Sequence, residues 1–132
     1  MARTRLNSVI SFTFNEYISG YHVYRDVWSP QENEILDCSL ESTNRHDPNA
    51  VAILKNGLIV GHVPRTLARY CSQALKLNAT LYVTVTGKYC NPRGNGLEIP
   101  CLYTLVGRDA FLKTVMLLIK DYIRRMESSN YA

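Results

Sequence analysis

Two adjacent residues, Asn56-Gly57, restrict this chain more than any others. An Asn-Gly pair adopts the positive φ angles of a type I′ turn at little cost, so it joins antiparallel strands through a two-residue loop. Val51 to Leu54 precedes it and Leu58 to Val60 follows, both apolar or β-branched. The spacing predicts a tight β-hairpin. Two polar clusters flank it: Asn44-Arg45-His46-Asp47-Pro48-Asn49 leads in, and Gly61-His62-Val63-Pro64-Arg65 leads out. Pro48 fixes φ, and Asn and Asp side chains accept from nearby backbone amides, so the first cluster is a turn with a mechanism. Antiparallel strands return to where they began, so both clusters are expected at one end of a sheet, forming a single site.

The remaining chain reads as short strands with helices after them. Val9 to Tyr17 alternates around Phe12 and Phe14, as a first strand or part of a terminal extension. Gly20 to Trp28 is expected as a strand with Tyr21, Val23 and Arg25 on one face. Ile35 to Leu40 is another, burying Leu36, Cys38 and Leu40. Pro64 suits the first turn of a helix, and Leu67, Tyr70, Cys71, Ala74 and Leu77 recur at helical spacing, predicting a helix over 64–77. Leu81 to Tyr89 alternates, residues 91–96 form a turn, and Leu97 to Val106 supplies a further strand or two. Pro100 there implies an edge or a bulge. Asp109 suits the N-cap of a helix over 109–126, with a broad stripe of Phe111, Leu112, Val115, Met116, Leu118, Ile119, Tyr122 and Ile123. The expected fold is mainly β with two helices, a small modified OB- or SH3-like β-barrel. Residues 1–8 read as a flexible arm, 9–127 as one domain and 128–132 as a tail.

At 132 residues there is room for one core. The net charge of +4 is a mild basic bias, compatible with a polyanionic partner. Cys38, Cys71, Cys90 and Cys101 contain no Cys-x-x-Cys pair, which argues against structural zinc and for free thiols in a reducing compartment, nuclear or cytoplasmic. No leader and no apolar run long enough for a bilayer is visible, so no membrane association is expected.

Chemistry is more weakly marked than fold. His22, His46 and His62 with Asp47 contain the groups for a metal site or proton relay. They come without a nucleophile in a recognisable turn, a phosphate-cradling glycine motif or paired carboxylates, so no enzymatic activity, metal or cofactor is expected. Single-stranded nucleic acid is held by flat rings and basic groups. Tyr21, Tyr24 and His46 supply the former, and Arg25, Arg45, Arg65 and Arg69 the latter. Asp47 repels phosphate; it either caps its own turn or accepts from a sugar hydroxyl.

The pattern Asn44-x-x-Asp47-x-Asn49-Ala50-Val51, followed by Gly61-His62-Val63-Pro64-Arg65, resembles the HIRAN domain, over a stretch running from about Gly20 to Gly107. That domain stands at the front of some DNA-remodelling helicases and alone in other proteins. The resemblance implies a modified OB-type barrel that captures the 3′-hydroxyl end of single-stranded DNA, in the setting of DNA repair. By position, Asp47 is similar to the residue that hydrogen-bonds the terminal hydroxyl, and Asn44 to a neighbouring polar contact. His62 is similar to the histidine lining the pocket, and Arg65 to a basic phosphate contact. His46 stands where the helicase members carry a stacking tyrosine, Leu97 where they place an aromatic ring, and Tyr24-Arg25 roughly matches an Arg-Tyr-Tyr segment. Two other classes stay open. One is a protein-interaction or scaffolding module with a lapsed pocket, binding a partner or a second copy through the last helix. The other is a metal-dependent hydrolase.

Overall fold

Alternating apolar residues become six antiparallel strands in one sheet: β1 (Ile10–Ile18), β2 (Ile35–Leu40), β3 (Val51–Lys55), β4 (Leu58–His62), β5 (Thr80–Val85) and β6 (Ile99–Gly107). Three helices accompany them, one more than expected: α1 (Tyr21–Tyr24), α2 (Arg65–Lys76) and α3 (Leu112–Tyr131). The computed structural model describes residues 8–90, 94, 96–108 and 110–131. Most of the expected arm, residues 91–93 and 95 of the expected turn, the cap assigned to Asp109 and the end of the tail lie outside the described residues.

The strand order is β1-β6-β5-β2-β3-β4. The sheet curls in the OB-like manner without a continuous closing ladder. Its edge strands meet at one bridge, where Ser19 N–H donates to the His62 carbonyl (2.9 Å) and His62 N–H to that of Ser19 (3.0 Å). The close approach depends on Gly61, since a Cβ there would lie 2.3 Å from Ile18 Cγ2.

The hairpin forms as the Asn-Gly pair demands, with φ at 51° for Asn56 and 82° for Gly57. Val51, Ile53 and Val60 bury inward with Ile18, Leu81, Tyr103 and Leu105. Tyr103 stacks on Phe14 (5.1 Å between ring centres), and its hydroxyl donates to the Tyr17 carbonyl (2.8 Å). Leu67, Ala68, Cys71 and Ala74 of α2 bury into this core. Leu112, Val115, Met116 and Ile119 of α3 pack on the same core.

Four expectations need correction. Gly20 to Trp28 is not a strand: Gly20 takes the left-handed conformation (φ 79°), turns the chain out of β1 and starts α1. Tyr21 then packs edge-on against Trp28 (5.9 Å) with both rings buried, so the aromatic residues serve a local turn. Pro100 is in neither an edge strand nor a bulge but near the start of β6, between β1 and β5. Its carbonyl accepts from Thr86 (2.9 Å), beyond the end of β5, so the side lacking a donor faces a strand that has already stopped. α3 starts at Leu112 and continues to Tyr131, taking in most of the expected tail. Its stripe is also narrower than expected, for Phe111 and Leu118 are exposed.

The four cysteines are free thiols, and no cluster suited to a metal ion occurs among the described residues. No described helix is long and apolar enough to cross a membrane.

Candidate nucleic-acid interface

The turn between β2 and β3 is built by its own side chains. Asn44 Oδ1 accepts from the backbone amides of His46 (2.9 Å) and Asp47 (3.0 Å). Asp47 Oδ1 accepts from Asn49 N–H (2.9 Å), and Asn49 Oδ1 accepts from the Ser72 hydroxyl on α2 (3.3 Å). These Asx-type bonds stabilise the turn in a loop that the sheet cannot support. They leave Asp47 divided: one carboxylate oxygen caps the turn, and the other, Oδ2, lies 3.8 Å from Arg65 Nε at the start of α2. The Arg65 side chain is 79% exposed, so this is a loose pair, easily exchanged for another partner.

The hairpin's return brings the second cluster alongside. Val63 N–H donates to the Val51 carbonyl (3.0 Å), carrying the ladder one residue past β4, and Pro64 then turns the chain into α2. His62 is held by its backbone at the Ser19 bridge and by its ring through Nε2, 2.5 Å from Glu41 Oε2. The Tyr24 ring lies 6.2 Å from the His62 ring. Burial, and then the charge of Glu41, raise the Tyr24 phenol above its ordinary value, so it stays a neutral hydroxyl.

Between the clusters is a cavity of about 290 Å3, lined in part by Ala50, Val51 and Val63 and by Ser19 and Gly20 just past the end of β1. Asn44, His46, Asp47, His62 and Arg65, five of the seven residues singled out in the sequence, line it together. Tyr24 stands behind His62 and does not line the cavity. Arg25 ends α1, is exposed and does not reach the cavity, because the segment expected to carry it along a strand is helical. Ser19 and Gly20 line it without having been singled out, and Glu41, also not singled out, reaches the His62 ring without lining the cavity. A glycine following a strand was the available signal for the first two. A lone glutamate three residues before Asn44 gave none. On the far side of Arg65 a second cavity of about 240 Å3 is lined by Pro64, Thr66, Leu97 and Glu98 and shares Ser19, Gly20 and Arg65. Leu97 therefore belongs to this neighbouring depression.

Comparison with known proteins bears on the fold. The crystal structure of the HIRAN domain of human HLTF superimposes with a TM-score of 0.67 at 23% identity, covering 86% of this chain and 91% of that one. An NMR structure of the HLTF HIRAN domain in its DNA-bound conformation gives 0.59 at 19% identity, covering 89% and 91%. A Lactobacillus plantarum protein gives 0.53 at 16%, covering 74% and 98%. No curated protein sequence matches the chain. The HIRAN domain family matches residues 11–107, from β1 to the end of β6, and the chain belongs to that family.

Proposed function

We propose that this chain is a nucleic-acid-binding module that takes the 3′-hydroxyl end of single-stranded DNA into the cavity between the Asn44–Asn49 turn and His62, without acting on it chemically. The observation that carries the proposal is the meeting of Asp47 Oδ2, His62 and Arg65 in one cavity of a HIRAN-family chain. A carboxylate oxygen with no backbone donor is a misfit for phosphate and a good acceptor for a hydroxyl. Arg65, exposed and loosely paired, is placed for the phosphate one nucleotide back, and the His46 ring for stacking on a base. At about 290 Å3 the cavity is near the small end of ligand pockets, the scale of a chain terminus. The DNA-bound conformation of the HLTF domain supports the same reading by analogy of fold.

The test is fluorescence anisotropy with matched oligonucleotides ending in a 3′-hydroxyl or a 3′-phosphate. The hydroxyl end should bind at least tenfold more tightly, and Asp47→Ala should remove most of that preference. Equal affinity for the two ends in the unaltered protein would refute the proposal. A protein partner or second copy on α3 is the alternative that the exposed Leu117, Leu118 and Met126 favour, and sedimentation velocity tests self-association directly.

A further inference from the structure

We infer that Glu41 is the positioning residue that makes the cavity selective for a hydroxyl end, by fixing where the proton sits on His62. This rests on the end-binding reading above and adds a residue and a mechanism to it.

Glu41 follows β2 directly and is fixed by its backbone on both sides of the turn: its N–H donates to Ala50 (2.9 Å) and its carbonyl accepts from Asn44 (3.0 Å). Its carboxylate therefore has a defined place to reach from. Oε2 meets His62 Nε2 at 2.5 Å, with both side chains largely shielded (20% and 28% exposed). The hydrogen bond made by one imidazole nitrogen sets the protonation of the other. A carboxylate at Nε2 keeps the proton there, as the aspartate of a catalytic triad orients its histidine. A ring carrying its single proton at Nε2 has Nδ1 as an acceptor, and His62 makes no other side-chain hydrogen bond among the described residues.

The consequence concerns the ligand. With its proton held at Nε2, His62 offers Nδ1 as one acceptor, and Asp47 Oδ2 supplies a second. Such a pair suits a group that can donate, and a sugar hydroxyl donates. A terminal phosphate brings about −1.5 to −2 charges and few protons. Around the ring it would meet two carboxylates, Glu41 behind His62 and Asp47 across the cavity, against one cation, Arg65. The other titratable neighbours are Tyr24 of α1, beside the ring, and His46 of the turn, which lines the cavity. Glu41 touches no ligand itself, and acts through His62 and through its charge.

Two measurements on the full chain test this. Long-range 1H–15N spectra of the three histidine rings, assigned with His62→Asn, should show His62 protonated at Nε2, and Glu41→Gln should abolish that bias. In anisotropy titrations Glu41→Gln should lower the 3′-hydroxyl over 3′-phosphate preference roughly tenfold, mainly by improving phosphate binding, since a nearby charge is removed. Glu41→Asp, with the charge kept but drawn back from the ring, should give an intermediate preference. A wild-type ring protonated at Nδ1, or an unchanged preference in Glu41→Gln with both ends still bound, would overturn the role of Glu41 and leave end binding standing. Failure of the wild type to bind either end would remove the end-binding reading, and the selectivity assigned to Glu41 with it.

Discussion

Gly61→Ala is expected to open the seam on which the cavity depends. An added Cβ would lie 2.3 Å from Ile18 Cγ2 and 3.2 Å from the Ser19 carbonyl. Ile18 is fully buried and β-branched, so its γ-methyl has no alternative rotamer with space, and the Ser19 oxygen is backbone. Relief requires β1 and β4 to separate by on the order of 1 Å, the shortfall from ordinary carbon–carbon contact. Such overpacking costs about 1–3 kcal/mol. Loss of the two Ser19–His62 backbone bonds adds about 1 kcal/mol each where they cannot re-form. The sum, about 3–5 kcal/mol where both bonds are lost, is a large part of the stability of a domain this size. Urea unfolding monitored by the fluorescence of Trp28 measures it, and the amide signals of Ser19 and His62 report the seam directly. The end preference of the cavity should fall in parallel, because His62 moves with the bridge. A variant within about 0.5 kcal/mol of wild type, with those two signals unmoved, would refute the argument, for surface changes alone stay in that range.

Two further outcomes follow from the ionisable groups. Burial raises the Glu34 carboxyl, but bonds from Lys55, the Gln31 amide and the Trp28 indole outweigh it and hold the group below its ordinary 4.5. Its stabilisation is therefore present above that value and lost as pH falls through the lower folded value, so the deficit of Glu34→Gln at pH 7 in urea unfolding should shrink as the solution is acidified. Burial pushes the Cys71 and Cys101 thiols up to about 12, against 9 when exposed. Unfolded thiols ionise first, so stability should fall as pH rises from about 9 towards 12, and Cys71→Ala should make that fall shallower. Iodoacetamide at pH 8 should correspondingly label the partly exposed Cys90 before either buried thiol, as mass spectrometry of the native protein would show.

The parts of the fold legible in the sequence were those governed by local rules. Asn56-Gly57 specifies its turn through backbone sterics alone, and Pro64 places the start of α2 within one residue. The Asn44 and Asp47 side chains reach only as far as their own turn, so their caps could be foreseen. What escaped was set by contacts distant in sequence or by one backbone angle. Tyr21, Val23 and Trp28 have β-favouring side chains, yet the left-handed Gly20 and the Tyr21–Trp28 contact settle that segment as a helical turn. Arg25 was lost from the candidate site for this reason, whereas Tyr24 stayed near it only because α1 lies against β4. Pro100 read as an edge because its strand neighbours, and the point where β5 ends, cannot be seen in one segment. Glu41 escaped because its meaning depends on His62, 21 positions away.

The cavity sits where the barrel fails to close, and the same residues account for both facts. β1 stops because Gly20 bends left-handed, and β4 stops because Pro64 cannot continue a ladder. The third wall is a turn that satisfies its amides internally through Asn44 and Asp47, needing nothing from either strand. Three chain segments thus end at one level with their backbone demands largely met, so side chains there are free to face a ligand. A fully paired β1–β4 seam would bury the space that the ligand needs. The geometry further implies that the integrity of the seam and the choice of ligand rest on different residues, though recognition needs both. Gly61 and Ile18 determine whether the seam holds, while Asp47 Oδ2, Arg65 and the free edge of His62 determine what enters it. A Gly61→Ala, Asp47→Ala pair should accordingly be close to additive in unfolding free energy and strongly non-additive in end preference, since either change alone already removes the shared site.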